Sequence, residues 1–286
     1  MTLPAGFAIA TMRADEVPEL EEWAAAEGWN PGLADLAIAH AVDPDAFIAL
    51  RRGDEMVGGG TIFSHSGVFG FMGLFIVRAD CRGAGLGAEL WRHRLGRLRR
   101  RLAPGATIGM DGVFAMVPFY EKGGFTLAHR DLRFAGRAVG AADPQVLAYP
   151  DIGFAEIDSF DRRFFPAPRS AFLVRWLEQP GAHVLGIRAD DVLAGYGVAR
   201  PCRDGFKLGP VFAETPAIAE RLVASLLARV EGEPVALDVP EPNSAGLDLA
   251  VKFGLSEAFG CARLYHGPAP ALPLDGIFGV TSFEFG

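Results

Sequence analysis

Cysteine is scarce in this chain: Cys81, Cys202 and Cys261 are the whole complement of 286 residues, they lie far apart, and no CxxC occurs. An odd, dispersed set excludes a disulfide scaffold and a zinc ribbon and fits a reducing compartment. The six histidines (His40, His65, His93, His129, His183 and His266) form no HExxH and no close pair, so no metal site is expected. Long apolar runs are missing too. The longest candidate, residues 67–77, is interrupted by Gly67, Gly70 and Gly73, well short of the roughly 20 residues that span a bilayer. The N-terminal region carries Asp15, Glu16, Glu19, Glu21 and Glu22 in place of the basic and apolar segments of a signal peptide. A net charge of −8 and a pI near 5.3 argue against a dedicated nucleic-acid binder. With 50% hydrophobic and 22% charged residues the chain can bury a large core, and its length fits two domains or one large one. The expectation is a soluble, cytoplasmic, globular protein with neither nucleic acid nor membrane as a partner.

The positive charge that is present is concentrated. Residues 78–101 hold Arg78, Arg82, Arg92, Arg94, Arg97, Arg99, Arg100 and Arg101 against only Asp80 and Glu89. Such a run is either a solvated helix face or a local site for a polyanionic ligand. Self-similarity organises the rest. At an offset of 136, residues 51–60 lie over 187–196, both reading as a hairpin with an acidic turn, and Gly73–Val77 lie over Gly209–Ala213. At an offset of 130, residues 120–125 lie over 250–255. The helical patterns after the middle match agree, with Leu86, Leu90, Leu95, Leu98 and Leu102 in the first copy and Ile218, Leu222, Leu226 and Leu227 in the second. Two copies of one α+β unit are predicted, joined in the Gly/Ala/Pro-rich stretch near 136–150.

Chemistry points to Arg82-Gly83-Ala84-Gly85-Leu86-Gly87, between a strand ending at Val77 and its helix. Glycines there let the backbone approach a ligand, and the first N–H groups of a helix have no internal partner. Those donors and the helix dipole suit a phosphate. The pattern Gly83-x-Gly85-x-x-Ala88 also satisfies the dinucleotide fingerprint, with Asp111 as its acid. Against that, Asp111 lies 28 residues past Gly83, rather than about 20, and antiparallel strands precede the loop. No Gly-Lys-Ser/Thr follows, which excludes a Walker A loop, and no GxSxG elbow occurs.

At this point the sequence resembles the GNAT N-acetyltransferase superfamily. The family's R/Q-x-x-G-x-G/A motif is matched by Arg82, Gly85 and Gly87, its lead-in strand by Phe75, Ile76 and Val77, and its aromatic signature by Phe119-Tyr120-Glu121-Lys122-Gly123-Gly124-Phe125. The resemblance implies an α+β (mixed α/β) fold of two GNAT-like units. Each is a mostly antiparallel twisted sheet with helices on both faces, over residues 1–138 and 150–286 with a linker at 139–149, and residues 268–286 end in a closing strand. It further implies acetyl-CoA as co-substrate, bound along Phe75–Val77 and on Arg82, Gly83, Ala84, Gly85, Leu86, Gly87 and Ala88, with direct transfer to the amine of a small-molecule acceptor. Tyr120 would protonate the departing sulfur. Asp111 would accept the amine's proton through water or bind a cationic acceptor, and is otherwise an exposed strand-end aspartate. Trp29 and Asn30 would overhang the acceptor pocket, Trp29 being otherwise ordinary packing.

The departures from the family matter. Val113 stands where the family often has a cofactor-contacting Asn, and in the second copy Ile218, Arg221, Val223 and Ala250 stand in place of the glycine loop and the tyrosine. Only the first copy should bind the co-substrate, the second supplying a wall of the acceptor site or shielding a sheet edge. His65, placed in a hairpin turn, is not expected to act as a base. The other readings of the chain are a non-catalytic acyl-CoA-binding sensor and, third, a nucleotide-dependent oxidoreductase.

Overall fold

The stretches Phe69–Val77 and Phe206–Ala213 are apolar at nearly every position and almost wholly buried, the pattern of strands covered on both faces by helices. The computed structural model describes residues 3–286. The first unit runs β1 (Phe7–Thr11), α1 (Val17–Ala26), α2 (Asp35–Val42), β2 (Phe47–Arg52), β3 (Glu55–His65), β4 (Phe69–Val77), α3 (Leu86–Arg101), β5 (Thr107–Gly112), α4 (Val117–Lys122) and β6 (Thr126–Arg137). The second runs β7 (Leu147–Ala148), α5 (Tyr149–Ile152), α6 (Phe154–Asp161), α7 (Ser170–Leu177), β8 (His183–Ala189), β9 (Val192–Pro201) and β10 (Phe206–Ala213). It continues through α8 (Pro216–Arg229), β11 (Pro234–Pro240), α9 (Ser244–Lys252), β12 (Ser256–His266) and β13 (Ile277–Gly279). From β2 to β6 the first unit is repeated element for element by β8 to β12, as the internal sequence matches require. The fold is the mixed α/β, mostly antiparallel one that the sequence predicts.

One feature departs from two self-contained units. The strands form a single sheet in the order β1-β2-β3-β4-β5-β12-β6-β11-β10-β9-β8-β7. The units have exchanged their last long strands: β12 pairs with β5 on one side and β6 on the other, and β6 continues onto β11. Among the described residues only β4 with β5 and β10 with β11 are parallel. The exchange is locked by ion pairs across the join. Arg263 on β12 holds Asp111 on β5 at 2.6 and 2.7 Å, and Arg133 on β6 holds Asp238 on β11 at 2.7 Å twice. Removing one partner of such a buried pair costs about 3–5 kcal/mol.

Helices cover both faces. One core is common to both units, with Leu20 and Leu36 from α1 and α2 packed in the same cluster as Ile157, Phe172 and Trp176 from α6 and α7. On the other face α3 covers the first unit through Leu86, Leu90, Trp91 and Leu98, and α8 covers the second. The arginines of α3 serve mainly to tie that helix down. Arg97 reaches Thr11 and Asp45, Arg101 reaches Asp43 and the Ile62 carbonyl, and Arg99 reaches His266. The charge run is therefore spent largely on packing the helix, not on a polyanion site.

The closing segment does not end at a sheet edge. β13 lies against β10 and β11, within the gap where those parallel strands diverge, with Val211 opposite Gly279. The chain then crosses to the first unit, burying Phe283, Glu284 and Phe285. No helix among the described residues is long and apolar enough to cross a membrane.

Candidate active site

In the first unit the equivalent gap is open. β4 and β5 pair only from Phe69–Met72 onto Thr107–Met110. Beyond Met72, Leu74 takes φ +52° and the register against β3 shifts between Gly59 and Thr61, which is a bulge. The strands part around a cavity of about 500 Å³ lined by both units. Trp29, residues 72–77, Gly87, Trp91, Arg94, Met110–Val113, Met116 and Tyr120 come from the first, and Phe259, Cys261, Phe283 and Glu284 from the second.

At the mouth, the turn into α3 is built for an anion. Gly83 and Gly85 take φ +82° and +79°, and Gly85 is the N-terminal cap of α3 with no side chain capping it. The amides of residues 83–87 donate to no described group, whereas Ala88 donates to the Gly85 carbonyl. Gly83 and Gly87 line the cavity with Phe75, Ile76 and Val77. The helix start of the second unit is closed instead: Thr215 accepts a hydrogen bond from the Ile218 amide, and Pro216 removes a donor. An open row of amides at a helix start can accept an anion, and α8 presents no such row.

Several side chains named from sequence have other duties. Arg82 lines the cavity, and its guanidinium also braces the loop, donating to the Val77 carbonyl at 2.7 Å and to Glu27 at 2.5 Å. Leu86 is buried core and, like Ala84, Gly85 and Ala88, is not among the lining residues. Asn30 bonds Cys202 and the backbone of Asp204 in the second unit, outside the cavity. Asp111 lines the cavity, but its carboxylate is clamped by Arg263; burial and the nearby Asp131 push its pKa well above the usual range. Nor is it an exposed strand-end aspartate, since its side chain is fully buried. Trp29 lines the cavity, its carbonyl anchored by Arg133 and Lys207. His65 closes β3 and does not sit in a turn; burial lowers its pKa to about 3, and it bonds the Phe285 carbonyl.

Tyr120 lies against Trp91, ring centroids 5.0 Å apart, with its hydroxyl bonded to no described residue. Burial raises its pKa to about 12, Arg94 opposing the shift. Gly112 permits this placement, since a methyl there would overlap the tyrosine ring.

Two lining groups escape the sequence reading. Arg94 is fully buried, with Nη2 donating to the Thr61 and Gly73 carbonyls at 2.6 and 2.5 Å. Every other buried arginine (Arg51, Arg133, Arg169, Arg200, Arg263) pairs with a carboxylate; among the described residues Arg94 has none, and its Nε and Nη1 are unpartnered. Burial lowers its pKa to about 9. Its two carbonyls flank the bulge, so Arg94 holds open the backbone that shapes the cavity. The signal was available: residues 90, 94 and 98 share one helix face, and two of them are leucine. Glu284 is the other, in an apolar tail with no periodic signal to mark it. No group of metal-ligating side chains occurs among the described residues.

Comparison with known proteins matches residues 9–125 to the Acetyltransferase (GNAT) family and residues 157–279 to an Acetyltransferase (GNAT) domain. The Holothin acyltransferase of Pseudoalteromonas sp. (strain SANK 73390) is 29% identical over 271 residues, covering 93% of this chain and 90% of that protein. The Uncharacterized N-acetyltransferase YitH of Bacillus subtilis (strain 168) is 23% identical, covering 68% and 71%. Among solved structures, a putative acetyltransferase from Pyrococcus horikoshii superposes with a TM-score of 0.85 at 22% identity, over 100% of this chain and 98% of that one. A tandem GNAT protein from the clavulanic acid biosynthesis pathway gives 0.64 at 14% identity, over 92% and 100%.

Proposed function

Because the chain belongs to the GNAT acetyltransferase family, as two GNAT domains in tandem, we propose that it moves the acetyl group of acetyl-CoA directly to the amine of a small molecule held between its units. The observation that carries this reading is the row of free amides at 83–87 opening onto the two-walled cavity. The amides would hold the diphosphate, Phe75–Val77 would flank the pantetheine arm, and Tyr120 would face the sulfur. The remaining wall of Trp29, Met116, Phe259 and Phe283 is apolar and suits a small organic amine. The relative named for holothin supports a small-molecule acceptor. Thiol release from acetyl-CoA on addition of a panel of primary amines, benzylamine and tyramine among them, tests the reading. Acetyl-CoA binding without release for any amine would favour a sensor.

Two further outcomes are expected. Replacing Gly85 with Val puts a branched residue at φ +79° and fills the approach to the amides, at about 1–3 kcal/mol of backbone strain alone. Acetyl-CoA affinity by calorimetry should fall at least about tenfold, and an unchanged affinity would place the co-substrate elsewhere. The wild-type chain should bind one equivalent of acetyl-CoA, because β13 fills the second gap and α8 is capped. A stoichiometry of two would contradict this.

A further inference from the structure

Three carboxylates line the cavity: Glu27, Asp111 and Glu284. Glu27 is bonded to Arg82 and Asp111 to Arg263. Glu284 alone has no hydrogen-bonded cation among the described residues; it is 4% exposed and its Oε2 has no partner. A carboxylate taken out of water without a compensating bond costs several kcal/mol, which folding does not tolerate without cause. Its backbone is fixed on every side. Ser282 Oγ accepts from the Glu284 and Phe285 amides at 3.2 and 3.0 Å, His65 bonds the Phe285 carbonyl, and the Glu284 carbonyl presses on Gly73.

Resting on the transfer reading above, we infer that Glu284 is the proton acceptor for the attacking amine, delivered to the first unit's cavity by the tail of the second. As the neutral amine's N–C bond forms and the thioester C–S bond breaks, the proton that nitrogen must lose goes to a Glu284 oxygen. The sulfur takes the Tyr120 proton, and solvent then returns one proton to Tyr120 and removes one from Glu284. The competing groups are poorer. No histidine lines the cavity, burial pushes the Cys261 thiol well above its ordinary range, and Lys207 donates to the Trp29 carbonyl. The charged and titratable groups facing Glu284 are Arg133 on β6, Lys207 on β10 and Cys261 on β12, with Asp238 behind Arg133. Across the cavity stand Arg94, Asp111 and Tyr120. Arg133 and Lys207 thus place two positive charges on the Glu284 side of the cavity.

The test uses the full-length protein, acetyl-CoA and benzylamine, following thiol release from pH 6 to 10. In Glu284→Gln, kcat/KM for benzylamine should fall at least about tenfold near neutrality. The deficit should shrink as pH rises and solvent supplies the base. Acetyl-CoA affinity should stay unchanged, and Glu284→Asp should recover part of the rate. A Gln variant with wild-type kcat/KM, or a loss equal at every pH that Asp does not recover, would overturn the assignment and leave Glu284 a structural counter-ion. Absence of thiol release from the wild type with every amine of the panel would instead overturn the transfer reading, and this inference with it.

Discussion

Tyr120→Phe is expected to lower kcat by at least about tenfold while leaving the fold and acetyl-CoA affinity intact. When an amine attacks a thioester, negative charge ends on the sulfur. A thiolate of pKa about 8.5 is a tolerable leaving group without help, yet a positioned proton donor typically adds ~10²–10⁴-fold. Tyr120 meets the requirements of that donor. Burial holds its pKa near 12, so the proton is present throughout the neutral range, and the buried Arg94 favours the phenolate formed once the proton has left. The ring is fixed by Trp91, Phe119 and the absence of a side chain at Gly112. Phenylalanine preserves all of that packing and deletes only the donor. Steady-state kinetics under conditions where chemistry limits the rate will decide: an unchanged kcat would reduce Tyr120 to packing.

Gly73→Ala should damage both stability and transfer. A single methyl at residue 73 overlaps the Glu284 carbonyl and crowds the Thr61 hydroxyl, and the first of these is backbone that cannot rotate away. Overpacking of this kind costs about 1–3 kcal/mol, or roughly 2–5 °C in Tm for a chain of this size. The tail must retreat to make room, carrying Glu284 with it, so kcat/KM should fall at least about tenfold beyond any loss of folded protein. Gly96→Ala is the control. Only the far end of Arg100 lies near its Cβ, and alanine is the better helix former. A Gly73→Ala protein melting and turning over like the Gly96→Ala control would show that the tail is not pressed against β4.

Much of this architecture is readable from residues. The repeat is visible because strand and helix periods survive in both copies, and the glycine loop because a helix start without a side-chain cap has few uses. The exchange of β6 and β12 is not readable. The alternation of a strand is the same whichever neighbour it joins, and nothing local in residues 256–266 specifies β5 over another partner. That blindness explains the site residues whose side chains turned out to be engaged elsewhere. Asp111 and Asn30 read as free polar groups beside a pocket because Arg263 and Asp204, which occupy them, lie 152 and 174 residues away. The row of arginines on α3 read as either a solvated face or a polyanion site because its partners come from β1, the α2–β2 turn and β12.

The strand exchange also sets the order in which the molecule can be made. A chain leaves the ribosome N-terminus first at about 5–20 residues per second. Arg263 is synthesised 152 residues after Asp111, so roughly 8–30 s pass with β5 and β6 lacking the strand that belongs between them. Through that interval the half carrying the glycine loop and Tyr120 is a nascent sheet with unpaired inner edges, the kind of surface that recruits other strands. Its completion waits on the second unit. High contact order of this sort slows folding, and the segment that brings Glu284 is made later still. A ribosome that stalls after the first unit leaves a fragment with neither an intact sheet nor a closed cavity.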